Sequence, residues 1–237
     1  YAGESVQSKL RRVREKMKEK QADIHILTSL YDIAWLFNVR GGDIAHVPVV
    51  MSFAAITMET CVWFVHSNVL NDEVCRYCEQ NHISIREYDA VYEYAENIPA
   101  KKRVLLNKSI VNYRICSGLR AEIVQAPNPT EWMKAVKNET ELANIRQAHI
   151  KDGVAFTKFM YWLKNHIGKE KITEISAANY LKERRQEQAL FMDVSFGTIS
   201  AYGANAAMMH YAPTPETDAA LRPEGFLLVD SGGHYLD

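Results

Sequence analysis

The sequence predicts two parts of different class: an α/β domain with a mixed sheet and flanking helices, then the incomplete start of an α+β domain. Three observations point there. Short apolar strand candidates alternate with helical patterns as far as Gln125. Pro127-Asn128-Pro129 interrupts that alternation, because a residue before proline is held extended. After Ala189 the chain turns β-rich, punctuated by glycine and nearly free of Lys and Arg. The predicted domains are 1–128 and 129–237.

Val6, Leu10, Val13 and Met17 recur at helical spacing, which predicts an amphipathic first helix. Its charges (Arg11, Arg12, Arg14, Glu15, Lys16, Lys18) read as a solvated face. Residues 22–28 follow as a strand and 31–37 as a short apolar helix, closed by Gly41-Gly42. Strand candidates at 49–57 and 61–66 flank a hairpin at Met58-Glu59-Thr60. Helix 70–80, strand 83–88, a short helix, strand 103–107, helix 110–118 and strand 121–125 complete the first part. In the second part Thr130 is the candidate N-cap of a helix starting Glu131-Trp132, and Asn138 that of a long helix to Ile167. Thr173 caps a third helix, with Glu174 suited to its positive end. Trp132 and Trp162 are expected to pack in the interior.

Composition bounds the function. With 28 basic and 29 acidic residues in 237, the net charge is −1, so no pull toward nucleic acid or anionic lipid is expected. No apolar run approaches the roughly 20 residues that span a bilayer. The first residues show no signal-peptide pattern. Cys75 and Cys78 form a C-x-x-C inside a predicted helix, with no second pair to complete a zinc site. Reduced, partly buried thiols and a cytoplasmic location are the expectation.

Two residues carry candidate chemistry. His210 follows Ala-Ala-Met-Met, and Asp230 ends the run Phe226-Leu-Leu-Val before Ser231-Gly-Gly. A carboxylate at the end of a buried strand is costly unless paired, and a metal ion is a natural partner. A single Asp does not hold a catalytic metal, which needs several protein ligands. The 20 positions between the two residues allow a loop and a return strand, so both could reach one cleft. By pattern alone His210 also fits a satisfied core or edge histidine, and Asp230 a hairpin tip.

A series of segments in order then resembles one family: Lys134-Ala-Val-Lys-Asn-Glu139, Ala148 to Asp152, Thr173 to Ala177, Ser195 to Ser200, Gly203-x-Asn205, His210-Tyr-Ala-Pro213, Val229-Asp-Ser-Gly232 and Tyr235-Leu-Asp237. They resemble aminopeptidase P, the Xaa-Pro aminopeptidase of the pita-bread metallopeptidases, in its three-domain form. Residues 1–125 resemble the creatinase-type middle domain of that form, through Ala34 to Arg40, Gly41-x-Asp43 and Pro48-Val49. The second part then resembles the start of the pita-bread catalytic domain.

The resemblance implies that Asp230 is the first ligand of a site for two divalent metal ions, manganese first, zinc or cobalt in some members. It implies that His210 lines the substrate pocket and assists binding or proton transfer, and the family's remaining ligands match no residue here. Gly197 stands where many members carry Pro or an acidic residue. The implied reaction is release of the residue before proline by metal-activated water, and the chain alone is expected to be inactive and to hold no metal. The implied partners are peptides with proline second and, in the complete enzyme, a second copy as a homodimer. Arg40 could reach substrate or a neighbouring subunit, but a surface or interdomain salt bridge is the favoured reading. His234 is expected to point away from the metal strand. A non-catalytic pita-bread binding module and a prolidase remain alternative readings. Uncovered apolar strand surface is expected to make the chain self-associate or be poorly stable alone.

Overall fold

Six strands, β1 (Ile24–Leu27), β2 (Ser52–Thr57), β3 (Cys61–Val65), β4 (Ser84–Arg86), β5 (Arg103–Leu106) and β6 (Glu122–Gln125), form one mixed sheet in the order β4-β3-β2-β1-β5-β6. In this computed structural model, which describes all 237 residues, β2 pairs antiparallel with β1 and with β3. The pairs β3–β4, β1–β5 and β5–β6 are parallel. Parallel neighbours need a crossover. Helix α3 (Asp72–Gln80) supplies it between β3 and β4, and α5 (Tyr113–Gly118) between β5 and β6.

Helices cover both faces of this sheet. Cys61, Trp63 and Val65 join a core containing Val6, Leu10, Val13 and Met17 of α1 (Val6–Glu19) and Ile33, Leu36 and Phe37 of α2 (Leu30–Phe37). Val62 and Phe64 join the opposite core with Val91 and Ala95 of α4 (Ala90–Glu96) and Ile115 of α5. A strand buried on both sides has no reason to alternate, which is why Cys61-Val-Trp-Phe-Val65 reads as one apolar run. The first helix has the expected stripe, with Ser5 capping through its bond from the Ser8 amide (3.2 Å). One charge is not on the solvated side: Lys9 is buried and donates to the Trp35 carbonyl and Asn38 Oδ1, each at 2.7 Å.

Helix α6 (Pro129–Ala135) starts two residues earlier than expected, with proline in its first turn and Asn128 as the flanking cap. Thr130 is therefore inside the helix and not its cap. It is fully buried and donates to Asp32 Oδ2 at 3.0 Å, where Asn128 Nδ2 also donates at 3.3 Å. Lys134 Nζ pairs with Asp32 Oδ1 at 3.2 Å. Trp132 departs from the packing expectation: it is 75% exposed, because Thr130 and Met133 occupy the inward face of α6.

The chain divides into two compact units, one of Ala2–Ile44 with Pro48–Asn138, the other of Tyr1, Ala45–Val47 and Glu139–Asp237. Helix α6 falls in the first unit, where the Asp32 carboxylate fastens it to α2. The second unit packs α7 (Glu139–His166) on α8 (Glu174–Gln186) around Phe159, Ile172, Ala177, Leu181 and Leu221. Trp162 stacks on Tyr180 with ring centroids 3.9 Å apart. Thr173 and Ser176 cap α8 reciprocally, at 3.2 and 2.8 Å. Two antiparallel pairs complete it: β7 (Phe191–Val194) with β10 (Gly233–Tyr235), and β8 (Ile199–Tyr202) with β9 (Leu227–Asp230). All four cysteines are free thiols, and no helix is long and apolar enough to cross a membrane.

Candidate functional site

Asp230 closes β9 opposite Ile199 of β8. The expectation of a buried strand is corrected here. Leu227 and Val229 are half-buried and pack on the second unit's core, while Leu228 and Asp230 are exposed. A strand covered on one face alternates inward and outward residues, and Leu-Leu-Val does not reveal which is which. The carboxylate is open to solvent, so burial does not by itself demand a cation.

His210 is also exposed, behind the exposed Met208 and Met209, with its backbone in the left-handed region (φ 55°). The β8–β9 register sets Asp230 beside the start of β8. The single-turn helix Gly203–Ala207 that leads to His210 departs from its other end. In the other unit, Arg40 is exposed and lines a pocket of about 510 Å³ with Asn38, Glu73, Arg76 and Tyr77. Partial desolvation lowers its guanidinium from the ordinary value.

The connection from β9 to β10 after Asp230 rests on a largely buried polar cluster. Arg185 donates to Asp152 through Nε (2.7 Å) and Nη2 (3.0 Å), and Nη2 also donates to Ser231 Oγ at 3.1 Å. Tyr235 donates to Asp152 Oδ1 at 3.2 Å; burial and the Asp152 charge raise its phenol above the ordinary value. A Cβ on Gly233 would lie 3.0 Å from Asp152 Oδ1, so a larger residue at the start of β10 would crowd this ion pair. His234 Nε2 lies 2.9 Å from the His46 carbonyl, and His46 Nδ1 3.1 Å from Asp193 Oδ2.

A second cluster surrounds Glu174 at the start of α8. Its carboxylate is fully buried and accepts from the amides of Tyr202 (2.6 Å) and Ala219 (3.1 Å), from Asn205 Nδ2 (3.0 and 3.2 Å) and from the Tyr211 hydroxyl (2.8 Å). Burial alone would raise its pKa, but these donors together outweigh burial and hold the group below the ordinary glutamate value. The sequence marks Glu174 as a favourable helix-end charge and places it in the resembling segment Thr173 to Ala177, but gives it no role in a site. Asn205 and Tyr211 also lie in segments that carry the resemblance, but nothing in the sequence shows that the three residues meet.

No group of three or more His, Cys, Asp or Glu residues in the chain could hold a metal ion. Asp230 alone does not make the dinuclear site that the resemblance implies, so the residues present do not fit that group by themselves.

Comparisons with known proteins follow the same division. Residues 1–141 match the creatinase/prolidase N-terminal domain model, and residues 143–237 match metallopeptidase family M24. A probable Xaa-Pro aminopeptidase P of Chaetomium globosum is 35% identical over 250 aligned positions, covering 100% of this chain and 40% of the relative. One of Aspergillus flavus is 36% identical and is covered over 38% of its length. The chain thus spans about 40% of the length of the curated relatives it matches. Among solved structures, an X-prolyl aminopeptidase from Caenorhabditis elegans, described as a cytosolic enzyme with a di-nuclear active site, superposes with a TM-score of 0.93 at 30% identity, over 100% of this chain and 40% of that one. An Xaa-Pro dipeptidase from Bacillus anthracis shares the fold at 17% identity and a TM-score of 0.73, over 98% of this chain and 62% of that one. The chain belongs to the creatinase/prolidase N-terminal domain family through its first 141 residues, and residues 143–237 are similar to metallopeptidase family M24.

Proposed function

We propose that the full-length protein carrying this chain is a metal-dependent aminopeptidase that releases the first residue from peptides with proline second. The observation that carries this reading is likeness along the entire chain, in sequence to probable Xaa-Pro aminopeptidases P and in backbone to an X-prolyl aminopeptidase. In this reading residues 1–128 supply the creatinase-type domain and the chain from residue 129 onward begins the catalytic one. Helix α6 packs with the former.

Asp230 is assigned as one metal ligand of a centre completed by residues outside this chain. Its exposure at a strand end leaves it open to a cation, and the Arg185–Asp152 pair fixes the backbone that follows it. His210 is assigned to the substrate pocket, where an imidazole can hold or move a proton near neutral pH. Arg40 is assigned to substrate contact. Manganese is the proposed metal, the chain alone is proposed to be inactive, and the complete enzyme is proposed to be a cytoplasmic homodimer. The location draws support from the cytosolic relative.

The test uses the purified full-length protein with an Xaa-Pro tripeptide, an Xaa-Ala tripeptide and an Xaa-Pro dipeptide sharing one first residue. Cleavage of the Xaa-Pro tripeptide, its loss on chelation, and its return with Mn²⁺ are expected. Asp230→Ala with full turnover would defeat the reading. Cleavage confined to the dipeptide would point to a prolidase, and no cleavage at all to a binding module.

A further inference from the structure

We propose that Glu174 is the positioning residue for His210, acting through Tyr211 and Asn205. This rests on the reading of His210 as a substrate-pocket residue.

The segment from Gly203 to Ala219 has little regular structure to hold it, only one short turn of helix after β8. Its ordering comes from side chains. One carboxylate collects donors from the end of β8 (Tyr202 amide), from the short helix (Asn205), from the residue after His210 (Tyr211) and from the segment's end (Ala219 amide). Asn205 Nδ2 also donates to the Tyr211 oxygen at 2.9 Å, which closes a ring of bonds around the buried hydroxyl. The Glu174 amide in turn donates to the Ala219 carbonyl at 3.1 Å, and Ile175 N–H to Asp218 Oδ1 at 2.9 Å. The loop is thereby gripped at both ends and at Tyr211.

Tyr211 is 7% exposed, while His210 beside it is exposed with a left-handed backbone. Residues with a Cβ adopt that conformation uncommonly, histidine more readily than most. The buried Tyr211 bond to Glu174 anchors the residue next to His210, with the phenol inside and the imidazole side exposed. Every group around the carboxylate is a donor, so a glutamine amide at this position would meet at least one of them donor to donor.

The experiment pairs a double-mutant cycle with hydrogen exchange, in the full-length protein. Tyr211→Phe removes a single oxygen, and Glu174→Gln alters the acceptor. Each is expected to lower kcat/KM for an Xaa-Pro peptide by about 10- to 100-fold through displacement of His210. Neither should lower it further in a His210→Ala background. Amide exchange over residues 203–219 should rise in both variants and stay unchanged over β7 and β10. Effects that multiply with those of His210→Ala would overturn the proposal, as would unchanged exchange over 203–219. If the wild-type protein cleaves no Xaa-Pro peptide, the functional reading fails, and the exchange measurement alone decides whether Glu174 holds this segment.

Discussion

Arg185 and Asp152 form a two-pronged ion pair in which the guanidinium is almost fully buried and the carboxylate about one quarter exposed. It joins α8 to α7 and supports Ser231, the residue after the proposed metal ligand. A buried pair of this kind is weak evidence for net stability, yet removing one partner strands the other charge.

Asp152→Ala is therefore expected to destabilise the fold by about 3–5 kcal/mol, since Arg185 has no water to turn to. Arg185→Met combined with Asp152→Leu should cost less than either single change. Denaturant unfolding of the three variants checks this. Equal costs for all three would show that the pair contributes by shape alone.

His25 makes the first unit sensitive to acid. Its ring is fully buried on β1, with Nδ1 2.9 Å from the Leu105 carbonyl. Burial lowers its pKa to about 4; the Leu105 carbonyl and the nearby Asp32 charge oppose that shift without cancelling it. The unfolded chain takes up a proton below about pH 6.5, whereas the folded one does not until about pH 4. The stability contributed by the neutral ring is thus full above pH 6.5 and falls as the pH drops toward 4, by on the order of 3 kcal/mol. His25→Asn should flatten that slope in urea titrations run between pH 7.5 and 4.5. An unchanged slope would assign the acid sensitivity to other groups.

Gly41 and Gly42 look alike in sequence but not in space. A Cβ at position 41 would sit 2.6 Å from the Val49 carbonyl oxygen, against backbone, whereas one at position 42 meets nothing within 4 Å. Gly41→Ala is expected to cost about 1–3 kcal/mol and Gly42→Ala to stay within about 0.5 kcal/mol. Thermal melts compare them directly.

The two tryptophans make a similar contrast. Trp162→Ala removes a partly buried ring stacked on Tyr180 and should cost about 2–3 kcal/mol. Trp132→Ala removes a ring that is 75% exposed and should change stability by no more than about 0.5 kcal/mol. A large loss at Trp132 would place that face of α6 against something in the full-length protein.

The order and type of the elements were legible in the chain because they depend on near neighbours. The α1 stripe, the Met58–Thr60 hairpin and the Thr173 cap each involve residues within one or two turns of one another. Sequence motifs in order were enough for the resemblance and for Asp230 and His210 as candidates. What the pattern did not carry was which side of a strand meets water. Leu227-Leu-Val-Asp230 reads as a buried run, but β9 has a core on one face only, so Asp230 is exposed.

Tertiary structure alone decided the polar clusters and the membership of α6. The donors to Glu174 come from 28 to 45 residues along the chain, and Asp32 meets Thr130 from 98 residues away. At such separations no local preference signals the contact, and the same residue types at a surface would have been satisfied by water. The chain's own pattern determined which elements form; folding determined which charges lost their water and had to find each other.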